Sequence, residues 1–166
     1  MRQCLTVAIV VLLGYALALQ GRNSSAAPET TRDREADARD IYEAVFRHQF
    51  EHNSSAIQKD AKSYFLSVKD KDPSPALLKR FTGHKPPVND GSKFRTGQGL
   101  LFEIRSMKWL GDDAVEVLGG YYEHGLSASN NLYRVERRGA RWVVTKDKLK
   151  GVALRHPSDG GGSGSA

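Results

Sequence analysis

The chain has 166 residues, with 25 lysines and arginines against 19 aspartates and glutamates, and a single cysteine. That length holds about one domain with an ordinary hydrophobic core. The net charge of +6 is mild, whereas a nucleic-acid surface calls for a larger excess with stacking aromatics between the charges, so nucleic acid is not an expected partner.

The chain opens with "MRQCLTVAIVVLLGYALALQ". Arg2 and the amino terminus form a positive head, Leu5 to Leu19 an apolar run, and Ala16 and Ala18 an A-x-A cleavage pattern, with Ala26 or Ala27 as later alternatives. Residues 1–27 thus read as a cleaved secretory signal peptide, which implies a secreted or periplasmic product. A spanning helix needs about 20 apolar residues; this run is shorter and lacks a basic stop-transfer flank, so no stable membrane span is expected. Cys4 precedes the apolar run and so is not a lipoprotein cysteine. Its removal with the leader leaves no thiol for a disulfide, a thiolate metal site or a nucleophile. Arg2 and Arg22 also fall in the leader, which reduces the charge excess to +4.

Residues 28–35 read as a polar linker, 36–155 as a single domain, and 156–166 as a disordered glycine-serine tail. Within the domain, residues 36–53 have helical periodicity. Ile41, Val45, His48 and His52 form one stripe, and Tyr42, Phe46 and Phe50 the adjoining one. Lys62 to Val68 is a short β-prone run. Ser74 and Pro75 open a second short helix that stops at Gly83. "GHKPPVNDGS" reads as loop, because Pro86-Pro87 and Asp90-Gly91 break regular structure. From Leu100 the apolar period becomes two, through Leu100, Phe102 and Ile104. Turns at Gly111-Asp112-Asp113 and Arg138-Gly139-Ala140 then divide the rest into an antiparallel meander. Its apolar face needs cover, which the helices supply. The expected class is α+β, with helices packed on one face of a curved antiparallel sheet.

An amphipathic first helix, a short strand, a small helix and a long meander ending in "LYRVERRGARWVVTKDKL" resemble the NTF2-like, SnoaL-like branch of the cystatin-like α+β folds. The resemblance covers most of residues 36–150. It implies a conical fold with a pocket between helix and sheet, and it allows a homodimer through the sheet face. The "KDPSP" and "GHKPPVNDGS" loops depart from it, and the aspartate-tyrosine set of the enzymatic members maps onto no particular positions here. The fold alone does not choose between catalysis and binding.

Several motifs compete for function. His48 and His52, one helical turn apart, suit two zinc ligands with His124 or Glu123 as a third. Gln49 stands where a metalloprotease motif has its glutamate, however, and the plainer reading has His48 filling the helix-sheet interface with His52 near its exposed end; no metal or other cofactor is expected. There is no G-x-S-x-G elbow. Gly97, Gly99, Gly119 and Gly120 lack the following helix of a phosphate cradle and instead mark bends or bulges. Asn23 and Asn53 open glycosylation sequons, a pattern frequent by chance.

"GGYYEHGL" carries the densest chemistry. Alternation from Val115 and Val117 turns Gly119, Tyr121 and Glu123 inward and Tyr122 and His124 outward. Tyr133, Tyr64 and His48 complete a candidate ligand-binding ring with Tyr121 and Glu123. The plain alternative is that the tyrosines are core residues with wet hydroxyls and Glu123 ends an exposed strand. The expected function is a non-enzymatic module binding a small molecule or a protein. The alternative is a pocket isomerase or hydrolase with Glu123 or His48 as general base and a tyrosine polarising the substrate.

Overall fold

The computed structural model describes residues 33–53, 55, 60–124 and 127–151. The leader, the terminal tail and the Asn23 sequon lie outside them, as does Ser54 of the second sequon.

The first helix, α1 (Arg34–Glu51), starts inside the segment expected to be linker, because Asp33 is an N-cap. Its carboxylate accepts from the backbone N–H groups of Glu35 and Ala36, both at 3.0 Å, satisfying donors that the helix itself leaves unpaired. At the other end Asn53 Nδ2 donates to the Gln49 carbonyl at 2.9 Å. The buried positions are Asp37, Ile41, Val45, Phe46, Gln49 and Phe50. His52, placed on the apolar stripe by periodicity, is exposed, and the polar Gln49 takes the inward position instead.

Strand β1 (Tyr64–Val68) leads through a turn at Lys69 and Asp70, both with positive φ, to α2 (Pro75–Lys79). Ser74 Oγ accepts from the Leu77 N–H at 3.3 Å, and Pro75 occupies the first turn, where no donor is needed. The stretch expected to be loop contains β2 (Val88–Asp90) and a 3₁₀ turn (Gly91–Lys93). This strand is only three residues long and lies at the sheet edge, where a neighbouring Pro87 is tolerated. The Pro87 carbonyl accepts from Tyr64 N at 2.9 Å.

The remaining strands are β3 (Leu100–Trp109), β4 (Ala114–His124), β5 (Ser127–Ala128), β6 (Asn130–Arg138) and β7 (Arg141–Gly151). Their order is β2-β1-β3-β4-β6-β7, with β5 paired to β4. From β3 onward the sheet is antiparallel, as the turns imply. The whole is mixed rather than a pure meander, since β1 runs parallel to both β2 and β3. Thirty-one residues separate the end of β1 from the start of β3, and this connection carries the chain back to the end at which β1 began. The protein is therefore α+β, with few helices and an open, mixed sheet of seven strands among the described residues.

One core joins Ile41, Val45, Phe46 and Phe50 of α1 to Leu66, Phe102, Val117 and Val135 of the strands. Phe50 meets Tyr64 and Phe102 at ring distances of 4.9 Å. Tyr64 lies within this aromatic cluster, with His84 at 5.7 Å. On the opposite sheet face Phe65 and Leu101 pack with Phe94 and Tyr122. With both faces covered there, β3 is buried at five successive positions, Leu100 to Ile104. Among the described residues no helix is long and apolar enough to cross a membrane.

Candidate functional site

A cavity of about 300 Å³ lies where the last turn of α1 faces β4, β6 and β7. Helical spacing brings Gln49, His52 and Asn53 to its helix side. The pairing of β6 with β7 sets Tyr133 opposite Asp147 and Asn131 opposite Leu149, so alternation delivers all four to one sheet face. Tyr121 and Ser129 close the β4 side.

Gln49 is the central polar group, only 3% exposed. Its Nε2 donates to the Glu103 carbonyl and to the Tyr133 hydroxyl, each at 3.3 Å. The bond to Glu103 depends on Gly119, whose added Cβ would lie 2.3 Å from that carbonyl oxygen and 3.1 Å from Gln49 Nε2. The adjacent Gly120 lets the backbone of Ser129 approach; a Cβ there would sit 2.0 Å from the Ser129 oxygen. The glycine pair thus serves close backbone approach rather than phosphate binding.

Burial raises the Tyr133 phenol well above its ordinary range, although the Gln49 bond pulls the other way. Tyr121 is also raised, first by burial and then by the Glu123 charge. Both tyrosines are therefore neutral hydroxyls at physiological pH.

Asp147 collects the donors on the rim. Its Oδ1 accepts from Asn131 Nδ2 at 2.6 Å, and its Oδ2 is 3.0 Å from His48 Nε2. The His48 ring stands edge-on to Tyr133 at 5.7 Å and stacks on His52 at 4.3 Å. His52 Nδ1 lies 3.1 Å from the His48 carbonyl. A carbonyl only accepts, so Nδ1 is the donor of this bond and Nε2 is the other ring nitrogen.

The expected ring of five is only partly assembled. Tyr121 and Tyr133 line the cavity, and His48 borders it through Asp147 and His52. Glu123 faces inward along β4 and is buried, so it is not an exposed strand end. It lies outside the cavity wall, as does Tyr64. Glu123 Oε2 accepts from Ser55 Oγ and Ser127 Oγ, both at 2.7 Å, while Oε1 is 3.1 Å from His124 Nε2. Burial alone would raise this carboxyl, but the two serines and His124 outweigh it and hold its pKa below the ordinary value. Glu123 is thus an ionised clasp binding β4 to β5 and to Ser55. His124 is exposed and Tyr122 belongs to the opposite face, as alternation implies.

The residues missed by sequence reasoning are Gln49, Asn131 and Asp147. Gln49 gave one signal, a polar side chain four residues after Val45 on the core-facing stripe. Asp147 gave another, a lone acid in the basic run of β7 at an inward position. The zinc geometry considered for His48 and His52 gives way to ring stacking. Among the described residues no group of three or more His, Cys, Asp or Glu side chains is placed to hold a metal ion. Comparison of the chain with protein-family models, with curated proteins and with solved structures gives no match.

Proposed function

We propose that this protein is an exported, non-enzymatic binding module. It takes a small polar molecule between the end of α1 and strands β4, β6 and β7, within a helix-over-sheet cone of the NTF2-like kind. The observation that carries this reading is the cavity itself. It has the minimum size of a ligand site, two neutral tyrosines are in its wall, and Gln49 and Asn131 of the same wall each carry a buried side-chain oxygen, Oε1 and Oδ1, with no hydrogen-bond partner among the described residues. Buried polar atoms of native proteins nearly always have partners, and a bound molecule or ion is one way in which such an atom is satisfied.

Binding is favoured over catalysis by the state of the two candidate bases. A carboxylate base works best with its pKa raised toward neutrality and with access to substrate. Glu123 has the opposite shift and is enclosed by Ser55, Ser127 and His124. His48 Nε2 is engaged by Asp147.

Native mass spectrometry of the protein purified from its source tests the proposal. The expected result is a co-purified small molecule, lost in a His52→Trp variant that narrows the cavity at an exposed position. A wild-type chain that is always bare, and that no small molecule stabilises against heat, overturns the pocket reading.

A further inference from the structure

Resting on that reading of the cavity, we infer that its ligand is an organic cation, a primary ammonium or a guanidinium. Among the described residues the cavity wall carries no lysine or arginine, and its one carboxylate is Asp147, in a chain whose net charge is +6.

The neutral polar groups lean the same way. Asn131 Nδ2 is held by Asp147, and Gln49 Nε2 by the Glu103 carbonyl and Tyr133. These bonds fix which way each amide faces, because a carboxylate and a carbonyl can only accept. What remains on Gln49 is an oxygen with no partner among the described residues, and on Asn131 such an oxygen together with the second N–H of its amide; Gln49 is more than nine-tenths buried.

An anionic ligand would meet these acceptors and the Asp147 charge with no lysine or arginine of the described cavity wall to compensate. Arg105, whose charge reaches Tyr133, is tied to Glu103 at 3.0 Å and Asn130 at 2.8 Å. A ligand rich in N–H donors satisfies the oxygens, gains charge-assisted bonds to Asp147, and can set its charge against the tyrosine rings. A bare divalent metal is a poor fit, because such ions take several oxygen ligands, usually with more than one carboxylate, and no cluster of that kind is present among the described residues.

Calorimetric titration of the purified chain with alkyl probes of different charge tests this inference. n-Butylamine carries one cation, n-butyramide of nearly the same size is neutral, butyrate is the anion, and agmatine is a longer dication with both a guanidinium and an ammonium. n-Butylamine and agmatine are expected to bind saturably, n-butylamine more tightly than butyramide, with butyrate weakest. Asp147→Asn should weaken agmatine about tenfold, the loss expected for one charge-assisted hydrogen bond. Should Asp147→Asn fold poorly, Asn131→Asp provides a second test. It adds a carboxylate beside Asp147, so agmatine should raise its melting temperature more than that of wild type. Equal or tighter binding of butyramide or butyrate overturns the cation inference while leaving the cavity a ligand site. If no probe binds and the protein from its source is bare, both readings fall.

Discussion

Trp142 on β7 donates its indole N–H to Asp37 on the first turns of α1, at 3.2 Å. The Arg137 guanidinium donates to the same carboxylate oxygen and lies 4.5 Å over the Trp142 ring. Three residues, each more than four-fifths buried by side chain or whole-residue exposure, thus pin the helix to the β6–β7 hairpin. Asp37→Ala should destabilise by about 3 kcal/mol, the lower end for breaking a buried ion pair, since Asp113 still faces Arg137 at 3.3 Å. Asp37→Asn keeps an acceptor for the indole and should cost less. Urea denaturation of the two variants separates the contributions. Equal midpoints would mean that the polar contacts add nothing beyond what alanine retains.

The glycine pair of β4 makes a sharper steric prediction. In Gly120→Ala the new methyl would sit 2.0 Å from a backbone oxygen of Ser129, and neither side is a flexible side-chain end that can move away. A loss of about 1–3 kcal/mol or more is expected from such overpacking. Gly111→Ala is the control, with nothing within 4 Å of its added Cβ. Thermal melts should show a large drop for Gly120→Ala and little change for Gly111→Ala. Similar melting temperatures for the two would remove the close-approach account of the pair.

How much of this was legible in the sequence differs by element. The helix start at Ser74-Pro75 and the β3–β4 and β6–β7 turns follow from local chemistry, and local chemistry is visible in a string of residues. The inward set Tyr121, Glu123 and Tyr133 followed from alternation for the same reason. The parallel pairing of β1 was not legible, because it depends on where residues 69–99 return the chain, which no local pattern states. Glu123 was misjudged because its partners, Ser55 and Ser127, come from elsewhere in the chain. Gln49 was dismissed as a failed base, although a glutamine on a core-facing stripe is itself a signal for a buried hydrogen-bonding role.

Glu123 sets a limit on the acid side. Its folded pKa is lowered from the ordinary value of 4.5, so its stabilising contribution is complete above that value and is lost as pH falls through the folded pKa. Glu123→Gln cannot lose what it no longer has. It should be less stable than wild type near neutral pH by about 1–3 kcal/mol, the range for a hydrogen-bonded charged group. The gap between the two proteins should then narrow as the medium is acidified below the ordinary carboxylate pKa. Urea midpoints measured across that range check this, and two curves that stay parallel would show that the Glu123 charge is not what Ser55 and Ser127 hold.

Tyr133 makes the converse prediction on the alkaline side. Its folded pKa lies above the ordinary phenol value of 10.0 because burial disfavours the phenolate. The contribution of Tyr133 to stability is therefore complete below about pH 10 and is lost as pH rises from there toward the folded pKa. Tyr133→Phe has no proton to lose, and it leaves Gln49 Nε2 its second acceptor, the Glu103 carbonyl. It should cost about 1 kcal/mol at neutral pH for one hydrogen bond, yet show a shallower alkaline decline than wild type. Tyr64 and Tyr121 are raised as well, so the decline should be reduced rather than abolished. Melting temperature against pH, with tyrosinate followed by ultraviolet absorbance, measures both quantities on one sample. An unchanged alkaline limb in Tyr133→Phe would mean that the phenol already ionises freely. The cavity would then carry a second negative charge at high pH, and its neutral hydroxyl wall would hold only at lower pH.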